Sequence, residues 1–134
     1  MKSLKSFLAL GFITLTYFQL VAFTLPQAKT DVLTAKFQWS TTAVNVGQIK
    51  QNYPKVIEFT FTNVGDAPLM LTEVKGSCGC TATDYTREPI MPNGTGKITA
   101  TYNAASLGQF TKTVTVSSNV GDPVVLSISG EVIP

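Results

Sequence analysis

From Lys36 onward this chain alternates apolar and polar residues with a period of two, and that alternation limits its fold more than any other feature. Ile57, Phe59 and Phe61 alternate with Glu58, Thr60 and Thr62, and Ile98, Ala100 and Tyr102 alternate with Lys97, Thr99, Thr101 and Asn103. Val114 and Val116 alternate with Thr113, Thr115 and Ser117; Val124, Leu126, Ile128 and Val132 share one side of the terminal run, opposite Val125, Ser127, Ser129 and Glu131. Successive side chains of a strand point to opposite faces, so this pattern means strands with one face in a core and one in water. Threonine, β-branched and hydroxylated, suits the wet face. Asn63-Val-Gly-Asp66, Pro92-Asn-Gly-Thr-Gly96, Ser106-Leu-Gly108 and Asn119-Val-Gly-Asp-Pro123 separate the runs as turns. No window beyond Phe23 carries apolar residues at helical spacing. The expected fold is an all-β sandwich of about seven antiparallel strands.

Composition narrows the function classes. The 134 residues have room for one domain, and 44% hydrophobic against 13% charged residues exclude intrinsic disorder. Of the 10 Lys and Arg residues, two are Lys2 and Lys5, so the rest of the chain is neutral against its 8 Asp and Glu. Such a module has no basic footprint for DNA or RNA, and no nucleic-acid partner is expected. The chain has no histidine, which removes Ser-His-Asp and Cys-His catalysis and every His-ligated metal centre. Asp84, Glu88 and Glu73 read as surface acids. Trp39 and Phe37, able in principle to stack on sugar, read as core aromatics. Asn93-Gly-Thr95 matches a glycosylation sequon but reads better as a tight turn.

The N-terminus has a positive start, Met1–Lys5, and an uncharged apolar run from Phe7 to Phe23, the pattern of a secretory signal. The run is slightly long for a signal and at the lower limit for a span, and Gln19 with the hydroxyls of Thr14, Thr16 and Tyr17 weakens it as an anchor. The expected organisation is a signal peptide over 1–24, with an uncleaved anchor as the alternative, a leader over 25–35, and the sandwich over 36–134. Either way the domain is exported, to the periplasm, the cell surface or the medium. Membrane contact is expected only through an uncleaved N-terminal segment.

Chemistry can reside only in Gly76-Ser-Cys-Gly-Cys-Thr81. Residues i and i+2 of a strand lie about 6.6 Å apart, at the upper end of the Cα separations a disulfide tolerates. Gly79 permits a bulge or turn that closes the gap. A bridge between Cys78 and Cys80 closes a three-residue loop, worth about 1.6 kcal/mol by chain entropy against about 3 kcal/mol for a 15-residue loop. It is therefore a poor clamp. Three readings stay open: two compact hydrophobes at a bulge, a thiol–disulfide pair, or a soft-metal site. Two thiolates alone suit two-coordinate Cu(I) rather than zinc or an iron–sulfur cluster. Met70 and Met91 add thioethers only if folding brings them near. No resident cofactor is expected.

Trp39-Ser, Val46-Gly-Gln-Ile49, Phe59-x-Phe-Thr-Asn-Val-Gly65, Ser77-Cys-Gly-Cys-Thr81, Pro89-Ile-Met-Pro-Asn-Gly94, Gly96-Lys-Ile98, Gly108-Gln-Phe-Thr-Lys112, Val116-Ser-Ser-Asn119 and Gly130-Glu-Val132 occur in this order. The series resembles the bacterial domain of unknown function 1573 family over about Lys36 to Val132. Ser-Cys-Gly-Cys-Thr followed by Pro-Ile-x-Pro is its most specific part. Where the family usually has Pro-Gly after the Ile, this chain has Pro92-Asn93-Gly94, a turn longer by one residue. The resemblance implies an immunoglobulin-like sandwich, akin to ciliary and major-sperm-protein modules, which bind and scaffold rather than catalyse.

The expected role is a binding or structural module of the bacterial envelope, not an enzyme, touching a protein partner or envelope component through a sheet edge or strand-end loops. The alternative is a small periplasmic thiol-redox or Cu(I)-binding protein centred on Cys78 and Cys80. N-terminal sequencing of exported protein should begin between Ala22 and Ala28; intact Met1 in a membrane fraction would establish an anchor instead.

Overall fold

The computed structural model describes residues 32–134. The expected signal peptide, its cleavage window and most of the leader lie outside the described residues. Eight strands follow in order: β1 Phe37–Trp39, β2 Ala43–Lys50, β3 Lys55–Asn63, β4 Leu71–Gly76, β5 Thr81–Tyr85, β6 Thr95–Tyr102, β7 Gly108–Ser118 and β8 Val124–Ile133. They form two four-stranded sheets, β1-β3-β6-β5 and β2-β8-β7-β4. This is the immunoglobulin-like sandwich that the alternation and the resemblance imply.

It departs from the expected pattern in one respect. The opening strand is split: β1 pairs antiparallel with β3, then the chain crosses at Ser40–Thr42 and β2 runs parallel to β8. A strand that changes sheets meets a neighbour running the same way, which gives one parallel pair in an otherwise antiparallel fold and eight strands where about seven are expected. β4 and β5 make the second crossing, on the opposite side of the sandwich.

The alternation is realised strand by strand. Phe59, Phe61, Val114, Val116, Leu126 and Ile128 are all buried, as are Ile98, Ala100, Tyr102 and Val132, while Val124 packs half-buried at the margin. Phe37 and Trp39 lean on this core: the Phe37 ring stacks on Trp39 at 5.1 Å and meets Phe61 edge-on at 5.0 Å. Gly96, opposite Phe61 across β3–β6, leaves the space that the Phe61 ring occupies, because a Cβ there would run into it.

One buried polar residue organises an end of the sandwich. Asn63 falls on the apolar face of β3 and is fully buried. Its amide nitrogen donates to the carbonyls of Ala67 at 2.7 Å and Ile90 at 2.9 Å, and its Oδ1 accepts from the amides of Gly65 and Lys36. Its backbone bonds Gly94 and Asn93, so the expected Asn93 turn is tied directly to it. Thr34, within the stretch expected as leader, accepts from Asp66 at 2.8 Å.

Phe59→Ala should cost about 3–5 kcal/mol by thermal or denaturant unfolding. Thr60→Ala, losing only an exposed hydroxyl contact with Ser40, should stay within about 1 kcal/mol. Asn63→Ala should cost about 2–4 kcal/mol, because it strands several buried backbone groups at once; equal effects of Asn63→Ala and Thr60→Ala would refute the hub.

Candidate functional site

Two places have chemistry beyond packing. The first is the corner where β4 leaves one sheet and β5 enters the other. Gly76, the last residue of β4, sits against Thr81, the first of β5; a Cβ on Gly76 would lie 2.8 Å from the Thr81 carbonyl oxygen. The chain turns between them over Ser77–Cys80, with the Thr81 amide donating to the Cys78 carbonyl at 3.2 Å. The turn draws the Cys78 and Cys80 Cα atoms to 5.3 Å, shorter than a straight strand gives, and a disulfide joins the two residues.

Gly79 is not the conformational permit that the sequence suggests. Its φ lies outside the left-handed region, and a Cβ there would meet open space. The Thr81–Cys78 hydrogen bond and the disulfide both close this turn. Both cysteines are half-buried; Cys80 packs against the core margin. In the bonded state neither sulfur is a thiolate. Met70 and Met91 flank the Leu69–Ile90 bridge at the start of β4, whereas the cysteines follow its end. At strand rise the intervening residues span about 20 Å, so the fold does not bring the thioethers to the sulfur pair.

The corner is held by more than the disulfide. The Ser77 amide donates to the Thr113 carbonyl at 2.8 Å, and the Thr113 amide returns a bond to the Ser77 hydroxyl at 3.2 Å. The Asn103 amide donates to the Cys80 carbonyl at 3.0 Å, and the Thr83 hydroxyl to the Val74 carbonyl at 3.0 Å. Thr81 stands apart. It is 6% exposed, yet its hydroxyl has no hydrogen-bond partner among the described residues. A buried unpaired hydroxyl costs about 1–3 kcal/mol.

The second place is the outer edge of β1. Sheet edges carry unpaired backbone groups, and three of the four here are blunted locally. On β2 the Thr41 hydroxyl bonds both the amide and the carbonyl of Ala43, and Asn45 Oδ1 accepts from Gly47 at the bulge. On β4 Thr83 caps Val74, and on β5 Asp84 Oδ1 accepts from the Tyr85 amide. On β1 the bonds of Lys36 to Val64 and of Ser40 to Thr60 set the antiparallel phase. The backbone of Phe37 and Trp39 therefore faces away from the sheet. No cap on it occurs among the described residues. A groove of about 220 Å³ lined by Trp39, Ser40, Thr60, Phe61 and Thr95 runs along this edge. The Trp39 indole N–H is buried with no partner among the described residues.

A larger hollow of about 430 Å³, lined by Asn45, Gln48, Gln109, Ser129 and Glu131, lies over the β2 bulge; neither orphaned polar group lines it. Asp84 pairs with Arg87 at 3.7 Å in full solvent, while Glu73 and Glu88 are exposed. Among the described residues no group of three or more His, Cys, Asp or Glu side chains converges. Sequence reasoning passed over Thr81 and the edge caps Thr41 and Asn45, which look like ordinary wet-face residues until the pairing is known.

A family model described as "Protein of unknown function (DUF1573)" matches residues 37–132. No curated protein matches the chain. Among solved structures it is similar to a protein of unknown function from Porphyromonas gingivalis W83, with TM-score 0.64 and 16% identity over 74% of this chain. This chain covers 47% of that one, about half its length. It is also similar to an ASH/PapD-like domain of human CEP192, TM-score 0.62 and 9% identity over 73% of this chain and 85% of that one. A third likeness is to the Vibrio cholerae VesB protease, TM-score 0.56 and 13% identity over 72% of this chain and 31% of that one. Identities this low establish the shared sandwich and nothing about activity.

The double change Cys78→Ser with Cys80→Ser should leave a folded protein that loses no more than about 2–3 kcal/mol, and Gly79→Ala should stay within about 1 kcal/mol, both read by thermal unfolding. Failure of the double variant to fold would make the bridge a clamp after all.

Proposed function

The chain belongs to the DUF1573 family of proteins of unknown function, and we propose that it is an exported, non-catalytic binding module of the bacterial envelope. Its partner is a protein that adds an extended segment to the edge of β1. The observation that supports this reading is the asymmetry of the edges: side chains cap β2, β4 and β5, while the outward backbone of Phe37 and Trp39 is uncapped among the described residues. Strand addition uses such a row of backbone donors and acceptors for affinity and adjacent pockets for selectivity. The groove beside Trp39 supplies the pocket.

Export rests on the basic start and apolar run of the first residues. A binding role suits a histidine-free chain whose acids are scattered on the wet faces. The sandwich it shares with a PapD-like domain is compatible with a scaffolding module.

Site-specific photocrosslinking in the expressing cell tests this. A photoreactive residue at Gln38, on β1, should give discrete protein adducts, whereas the same residue at Gln48 on β2, Lys75 on β4 or Ala82 on β5 should give few. Adducts spread evenly over the four positions, or absent at Gln38, would defeat the β1 assignment.

A further inference from the structure

Beyond that binding role, we infer that Cys78 and Cys80 form a reversible thiol–disulfide site, in which Cys78 is the sulfur attacked by an external dithiol and Cys80 is the leaving thiolate. The fold does not need the bond. The corner is fixed on both sides by the Ser77–Thr113 pair, by Asn103 on Cys80 and by Thr83 on Val74. A bridge spanning a sequence separation of 2 restrains almost no chain. Opening it therefore leaves the β4–β5 crossing in place.

Access separates the two sulfurs. Cys80 packs against the core margin, whereas Cys78 does not, and a Cβ on Gly79 between them would meet open space. An incoming thiolate meets Cys78 first. Its sulfur forms a bond to Cys78 Sγ as the Cys78–Cys80 bond breaks, and the electron pair of that bond leaves on Cys80 Sγ as a thiolate. The second thiol of the external dithiol then attacks its own sulfur in the mixed disulfide and releases Cys78 as a thiolate. Two protons, released by the dithiol, complete the balance: the pair gains two electrons and becomes two thiols, and the dithiol becomes a disulfide. The reverse sequence re-forms the bridge from an external disulfide.

Thr81 supplies the second observation. A buried hydroxyl without a partner is rare, and this one belongs to the residue directly after Cys80. In the bonded state it has no acceptor among the described residues. Opening the bridge frees the Cys80 side chain to turn, and in the reduced state its thiolate takes the Thr81 hydroxyl as donor, a contact that the bonded state does not make. Thr81 acts on Cys80 and not on the incoming reagent, so it is a positioning residue.

The test uses the full exported chain with dithiothreitol as the dithiol and oxidised glutathione as the disulfide. Dithiothreitol should reduce the wild-type pair with near-ultraviolet circular dichroism unchanged, and glutathione disulfide should restore it. Resistance to reduction until denaturant is added, or loss of the folded signal on reduction, would overturn the proposal. In the single variants, Cys80→Ser should form the glutathione adduct at Cys78 about tenfold faster than Cys78→Ser forms it at Cys80; equal or reversed rates would overturn the assignment of the attacked sulfur. Thr81→Val should slow reduction severalfold without lowering the thermal midpoint, and Thr81→Ser should restore the rate. A Thr81→Val rate equal to wild type would remove Thr81 from the site. Crosslinking from Gln38 should be unaffected in the doubly substituted serine variant, so this proposal and the binding proposal fail separately.

Discussion

The saturated amide of Asn63 is the interaction on which one whole end of this sandwich depends. A carboxamide has two donors and one oxygen with two lone pairs, and here all are used: two carbonyls, from Ala67 and Ile90, and two amides, from Lys36 and Gly65. The entry into β1, the turn after β3, the segment before β4 and the turn before β6 meet at this one side chain. No apolar residue of similar size replaces it, since each backbone group it serves would be left buried and unpaired. An aspartate would keep the shape but lose both donors. The hydrophobic layers fix which faces meet, and Asn63 fixes how four connecting segments close over their end.

Asn119 repeats the device more weakly. Its Oδ1 accepts from the Met70 amide, its side-chain nitrogen donates to the Pro68 carbonyl, and its own amide bonds the Met70 carbonyl. It is exposed, so water competes for each bond and the net contribution falls. Together the two asparagines hold the Pro68–Met70 approach to β4 between them. The start of β4 is thus held by asparagine side chains beside the Leu69–Ile90 backbone bonds, and its end by the Ser77 and Thr83 hydroxyls beside the backbone bonds of the disulfide corner.

The strands were legible because burial on one face imposes a period of two on the residues themselves; Phe59, Val114 and Leu126 could be assigned inward without coordinates. Asn63 was read as the head of a turn, and that signal masked its parity, which puts it two residues beyond Phe61 on the inward side. The split of the first strand was not legible. Only the neighbours of Phe37–Trp39 and Ala43–Lys50 decide that β1 belongs to one sheet and β2 to the other. The same limit applies to the site. The Cys-Gly-Cys spacing showed a short loop, but the turn that closes it, the isolation of Met70 and Met91 from it, and the orphaned Thr81 hydroxyl all depend on contacts between residues distant in sequence. Edge capping is harder still, because Thr41 and Asn45 act on backbone groups whose need for a cap exists only once β2 is an edge.

The sheet order places the two functional features apart. β1 and β2 form one side of the sandwich, and β4 and β5 form the other. β3 and β6 stand between β1 and β5, so at strand spacing the open edge and the disulfide corner are separated by about 14 Å of hydrogen-bonded sheet. Sites this far apart, with no shared partner, act additively unless an element with two discrete arrangements connects them. The intervening strands offer no such element: Phe59, Phe61, Ile98 and Ala100 are locked in one buried layer. Close-packed interiors of this kind do not deform gradually. A change of bond at Cys78–Cys80 is thus confined to its corner, and the β1 edge keeps the same backbone groups on offer in either redox state. If one ligand engages both features, it does so by reaching around the sandwich, because the core provides no path between them.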